Sequence, residues 1–198
     1  MGAFEDVINH EFRWPRKGDK PFQRSDDWQQ NARMEADAPS RMVMMMEGYK
    51  RAADLMVERA QQSTVERHYL VYPVIFTYRQ FIELELKYLI VTYGPTVCIE
   101  ANWKSHDLAF LWSEFRRVLK GYDVRDKADV VVERVVAEFA KIDPDSCSYR
   151  YPVDVDGNPI PLTQEELDLA ALADVMNGLS GYFDGCDAYL DTLESGGS

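Results

Sequence analysis

Arg79, Glu83 and Lys87 stand four positions apart within the largely apolar stretch YPVIFTYRQFIELELKYLIVTY, residues 72–93. On a helix this spacing stacks them in one strip, where each can pair with the next and Arg79 and Glu83 could offer a ligand a charged contact. The plainer reading is an intrahelical ion-pair ladder on the surface of a bundle. Two further places could do chemistry. His106 stands at the start of a helix, where an imidazole can act as general acid or base, or can simply hold its own loop. Arg150 and Tyr151 follow each other in a long loop; the first could fork onto a phosphate and the second could stack on a base. The competing role for Arg150 is a bridge to Asp143, Asp145 or Asp154.

Other chemistries lack their residues. The three histidines, His10, His68 and His106, form no Glu-x-x-His pair of the di-iron kind. The Asp-Val-Asp-Gly of residues 154–157 superficially matches a calcium loop, but that register puts Pro152 at the first ligand position and Thr163 at the twelfth, where a Glu is required. No phosphate-binding glycine loop, dinucleotide fingerprint or nucleophile elbow occurs. Cys98, Cys147 and Cys186 make no CxxC or CxxH pair, so no zinc site is expected, and they read as reduced thiols filling the core. No metal and no cofactor is expected.

These groups must be carried by a domain whose size and charge set further bounds. A chain of 198 residues fits one domain with a proper core. The formal net charge of −12 argues against broad electrostatic binding of nucleic acid, leaving only local contacts around Arg13–Arg24 or Arg116–Lys120. Charges interrupt the most apolar stretch, so no membrane span is expected, and the acidic N-terminus does not suit a signal peptide. The expectation is a cytoplasmic protein.

Residues 1–41 carry no sustained period and read as an N-terminal arm with a short helix around Phe4–Phe12. Residues 42–195 read as an all-α, up-and-down bundle of about five helices. The first follows Pro39, with a stripe of Met42, Met45, Met46, Tyr49, Ala52, Ala53, Met56 and Ala60. The second is the central helix, from Tyr69 to Tyr93, with Pro73 in its first turn or kinking it. The third is capped by Ser105 and buries Leu108, Leu111, Trp112, Phe115, Val118 and Leu119. The fourth runs from about Val124 to Ile142 with Val131, Val135, Phe139 and Ile142 inward. A Pro-rich loop of about twenty residues follows, with a turn at Asp156-Gly157-Asn158, and loops of that length are usually functional or mobile. The last helix opens with a capping box, Thr163 to Glu166. It carries Gly178, Gly181, Gly185 and Ala188 on one strip, against helix propensity, which suggests a close-packing interface with a second copy or a partner subunit.

Taken in order, YRQFIELELKYLI, then His106-Asp107-Leu108 opening a helix, then Arg150-Tyr151-Pro152 before a long final helix, resemble the HEPN superfamily of prokaryotic helical bundles. The resemblance spans about residues 42–193. It implies a symmetric dimer or a partner-bound subunit in defence or toxin–antitoxin systems. Many such proteins are metal-independent ribonucleases whose signature is an Arg followed four to six residues later by a His. No histidine of this chain is so placed. The resemblance therefore favours a non-catalytic interaction subunit or a nucleotide- or RNA-binding one. The alternatives are a divergent ribonuclease using Arg150, Tyr151 and His106, and a small-molecule or nucleotide sensor.

Overall fold

The computed structural model describes residues 13–144, 146–162 and 164–196. The chain divides into two compact units, residues 1–34 and 35–198. The described part of the first unit is extended apart from one turn of 3-10 helix at Trp28–Gln30, started by the Asp27 carboxylate accepting from Gln29 N–H. The short helix expected around Phe4–Phe12 lies outside the described residues.

The second unit is all-helical and has five α-helices: α1 (Ala38–Gln61), α2 (Thr64–Tyr93), α3 (Leu108–Gly121), α4 (Asp129–Ile142) and α5 (Leu169–Gly196). Among the described residues there is no named strand; the loop turn at Gly157 closes on a single bridge between Val153 and Pro159. Gly157 has φ +84°, a conformation that costs an L side chain and suits glycine.

Local chemistry starts and stops each element. Asp37 caps α1 by accepting from Ser40 N–H, and Pro39 sits within the first turn, where it forfeits no hydrogen bond. That start places residues 38–41, expected in the arm, inside the first helix. Ser63 caps α2 by accepting from Glu66 N–H, so the helix begins five residues before the expected Tyr69 and Pro73 lies well inside it. For α3 the cap is Asp107, accepting from Ala109 and Phe110 N–H, and the expected Ser105 instead accepts from Asp107 N–H. Asp168 accepts from Ala170 and Ala171 N–H at the head of α5, which starts later than the expected capping box; Thr163 of that box lies outside the described residues.

The core forms around α2, which packs against α1, α3 and α5, while α4 packs on α3. Val74, Tyr78, Ile82, Leu86 and Leu89 of α2 are wholly buried, because neighbours cover the helix on several sides. The stripe expected on α3 is buried in full. On α4 Phe139 is buried as expected and Val135 and Ile142 pack partly buried against the core, but Val131 is 59% exposed, and Val132 and Val136 are the valines that are fully buried. Met45 is likewise exposed, and Met46, Ala53 and Val57 carry the α1 contact. Of the cysteines expected in the core, Cys186 packs half-buried against it, Cys147 is half-buried, and Cys98 is exposed, in a left-handed conformation with φ 60°.

Polar side chains tie the helices laterally. Lys50 of α1 donates to Asp54 and to Asn177 of α5, and Tyr78 of α2 donates to the same Asp54. Asp129 of α4 pairs with Arg116 of α3 and accepts from the Tyr182 hydroxyl of α5 at 2.7 Å. Such fully paired groups fix the register of helices whose apolar faces could otherwise slide.

Candidate functional site

The charged strip of α2 is a buried network and not the surface ladder expected from its spacing: Arg79 is 0% exposed, Glu83 3% and Lys87 4%. Two loops cover it. The Arg79 guanidinium donates from Nη1 to Glu83 Oε2 at 3.0 Å, from Nη2 to the His106 carbonyl at 2.7 Å and from Nε to the Asp143 carbonyl at 2.9 Å. One side chain thereby pins the segment entering α3 to the segment leaving α4. Asp143, also wholly buried, accepts from Ser148 N–H through Oδ1, and its Oδ2 stands 3.4 Å from Arg79 Nε in an ion-pair contact without hydrogen-bond geometry. Asp143 entered the sequence reading only as a competitor for Arg150; nothing in its local spacing shows that it closes onto Arg79 from 64 residues away.

Glu83 is the hub. Its Oε1 accepts from Lys87 Nζ and faces His106 Nδ1, both at 2.8 Å. Burial alone would raise its pKa; the Lys87 and His106 contacts outweigh burial and hold the carboxyl below its ordinary range. An ionised Glu83 only accepts, so Nδ1 of the facing imidazole carries the proton in this contact. The His106 side chain is 61% exposed, so the ring held by Glu83 is open to solvent. A buried carboxylate orienting a surface imidazole is the arrangement that a general acid or base requires.

Arg150 and Tyr151 come together at a different opening in the same loop system. Gln80 of α2 donates to the Ser146 hydroxyl, and Arg150 Nε donates to the Ser146 carbonyl. The guanidinium lies 5.5 Å from the centres of both the Phe76 and Tyr151 rings, a cation–π position on each. Arg150 forms no bridge to Asp143, which Arg79 engages, or to Asp154, whose carboxylate accepts from Asp156 and Asn158 N–H within its own turn. Asp145 lies outside the described residues. The exposed Arg150 and Tyr151 line a cavity of about 390 Å³ together with Tyr72, Ser148, Tyr149, Pro152, Ile160 and Leu162. Nη1 of Arg150 has no hydrogen-bond partner among the described residues. A larger cleft of about 580 Å³ adjoins it through Tyr72, Tyr149 and Leu162, and its walls include Glu138, Glu165, Glu166 and Asp168. Four carboxylates against one Lys141 make that cleft unfavourable to anions. His106 lines neither opening.

The glycine strip faces outward. Gly178, Gly181, Gly185 and Ala188 are exposed, and a Cβ built on any of the three glycines meets nothing within 4 Å. No neighbouring helix of this chain therefore accounts for them. Among the described residues, no set of three His, Cys, Asp or Glu side chains could hold a metal ion. No helix among the described residues is long and apolar enough to cross a membrane.

Compared with known proteins, the chain matches no family model, no curated protein and no solved structure.

Proposed function

We propose that this chain is a HEPN-like helical bundle acting as a non-catalytic nucleotide- or RNA-binding subunit in a prokaryotic defence or toxin–antitoxin setting. The observation that carries the binding role is the Arg150 opening. A guanidinium held by a carbonyl and two rings, with one nitrogen unengaged, stands beside Tyr72, Tyr149 and Tyr151. The rings offer stacking faces and the guanidinium one free donor, Nη1, for a phosphate oxygen, while the surrounding acids oppose a longer polyanion. The target is thus a mononucleotide or the end of a single strand. Support for the family comes from convergence: the segment from Arg79, the His-Asp-Leu helix start and the loop before Arg-Tyr-Pro are tied together by Arg79. The outward glycine strip belongs to the same proposal, as the face that meets a second copy or a partner subunit.

A panel of labelled nucleotides and short RNAs tests the binding role. Arg150→Ala and Tyr151→Ala are expected each to weaken binding by about 1–3 kcal/mol, the range for loss of a stacking or phosphate contact. A wild-type protein that binds none of them ends this reading. Replacing Gly181 with Leu is expected to abolish assembly while leaving the helical circular dichroism intact.

A second reading has its own observation, the Glu83-oriented imidazole of His106. It supports a divergent metal-independent ribonuclease, in which His106 would exchange a proton with the ribose hydroxyl or the leaving oxygen. RNA cleavage lost in His106→Ala favours the enzyme; intact RNA under every condition favours the binding subunit. Arg79 and Glu83, proposed as ligand contacts, would act here through His106 and the loops they hold.

A further inference from the structure

Helices α2, α4 and α5 and the loop before α5 enclose the larger cleft of about 580 Å³. That volume lies within the range of about 300–1,000 Å³ in which small molecules are held. Val71 and Ile75 of α2, Phe139 of α4 and Leu172 of α5 give the cleft apolar walls, against which a planar ring can lie. From α4 come two polar side chains as well, Glu138 and Lys141. Three positions apart on a helix they share a face and could pair, yet neither forms an ion pair or hydrogen bond with any described residue. The other carboxylates of the cleft are placed differently: Glu165 and Glu166 lie on the loop, and Asp168 is engaged at the head of α5. An unengaged acceptor and an unengaged donor thus stand side by side on one rigid element, where a recognition pair is held most accurately. The cleft shares Tyr72, Tyr149 and Leu162 with the Arg150 cavity, so one molecule can reach from one into the other.

We propose that this cleft holds the base of the nucleotide whose phosphate Arg150 binds, and that Glu138 and Lys141 select guanine. The inference rests on the nucleotide-binding reading and adds to it the identity of the base. Guanine presents two adjacent N–H donors, at N1 and the N2 amino group, with the O6 acceptor beside them. A carboxylate accepts from both donors at once, and an ammonium donates to O6 or N7. Adenine reverses the pattern, bringing its N1 lone pair to the carboxylate and its N6 amino group to the ammonium. Cytosine likewise sets an acceptor beside its amino group, and uracil offers one N–H flanked by carbonyls. A neutral base also suits the sign of the site, because carboxylates that oppose a phosphate accept readily from N–H groups. The phosphate stays at Nη1 of Arg150, and the sugar crosses the wall that Tyr72 and Tyr149 share.

Isothermal titration of the 5′-monophosphates of guanosine, inosine and adenosine into the full chain varies the base and keeps the phosphate. The guanine nucleotide is expected to bind about ten-fold tighter than the inosine one, which lacks only the N2 amino group, and at least as much tighter than the adenine one. Glu138→Gln, an exchange of similar shape at an exposed position of α4, puts a donor where two oxygens accepted. It is expected to erase the guanine preference while the adenine nucleotide still binds. Arg150→Ala is expected to weaken the guanine and adenine nucleotides by one common factor, leaving their ratio unchanged. Equal binding of the three by wild type, or a guanine preference that survives in Glu138→Gln, overturns the guanine site and leaves the nucleotide-binding reading standing. Failure of all three to bind ends both. A preference lost in Glu138→Gln with no effect of Arg150→Ala keeps the base site and removes the phosphate contact.

Discussion

Arg79 is a residue whose loss the fold cannot absorb. Replacing it with Met keeps much of the side-chain volume but strands Glu83 and Asp143, two buried carboxylates that it compensates, and frees two carbonyls. Breaking a buried pair from one side costs about 3–5 kcal/mol, so Arg79→Met is expected to lower the urea midpoint accordingly. If the midpoint moves by less than a surface substitution would move it, the network contributes little. The result also bears on His106. With Arg79 removed, the loop that presents the imidazole loses its anchor, so any activity that depends on His106 should fall with it. The half-turn between Arg79 and the next buried residues shows why spacing alone suggested a surface strip: four-residue steps describe one face of a helix, not what covers that face.

At the scale of elements, glycines with opposite surroundings give a paired test. A Cβ at Gly94, where α2 ends, would stand 2.4 Å from the carbonyl oxygens of both Ile90 and Ile99. Backbone must move to admit it, so Gly94→Ala is expected to destabilise the bundle by about 1–3 kcal/mol, as overpacking does. Gly181→Ala meets open space in the middle of α5 and replaces the poorer helix former, so it is expected to stabilise the isolated chain by up to about 1 kcal/mol. Thermal melts of the two variants beside wild type check both signs. A strip that natural sequence leaves as glycine despite that gain is consistent with a face reserved for close approach, which is the proposed interface. The loop between α4 and α5 illustrates the complementary case. Its residues have no helical period, yet Arg79, Gln80 and Asp143 fasten its first part to α2.

Across the whole molecule, charge is distributed unevenly: beyond residue 150 the sequence contains ten Asp and Glu and no Lys, Arg or His. Most of the net charge of −12 thus lies on the last loop and α5, and Glu165, Glu166 and Asp168 among them line the larger cleft. Glu85 is the group whose titration should register globally. Its folded pKa, raised by burial to about 8, lies above the unfolded value of 4.5, so between them the folded state holds a proton that the unfolded state has released. Stability therefore declines as pH rises through that window, by at most about 1.4 kcal/mol per unit, and levels off above the folded value. Glu85→Gln is expected to flatten this decline in denaturation curves taken across the window; an unchanged slope would place the pH dependence elsewhere. The sequence by itself determined the helical class, the central role of α2, the buried stripe of α3 and the residues with chemistry to offer, because periodicity and polarity are local properties. It misplaced helix starts by a few residues where a nearby Asp or Ser competed for the cap, and it misread a run of valines whose two faces are equally apolar. Only the tertiary structure decided that Arg79, Glu83, Glu85 and Lys87 are interior, that Asp143 closes the network, and that Arg150 stacks on Phe76. Each of those facts depends on contacts between elements distant in the chain, and no spacing along one helix encodes them.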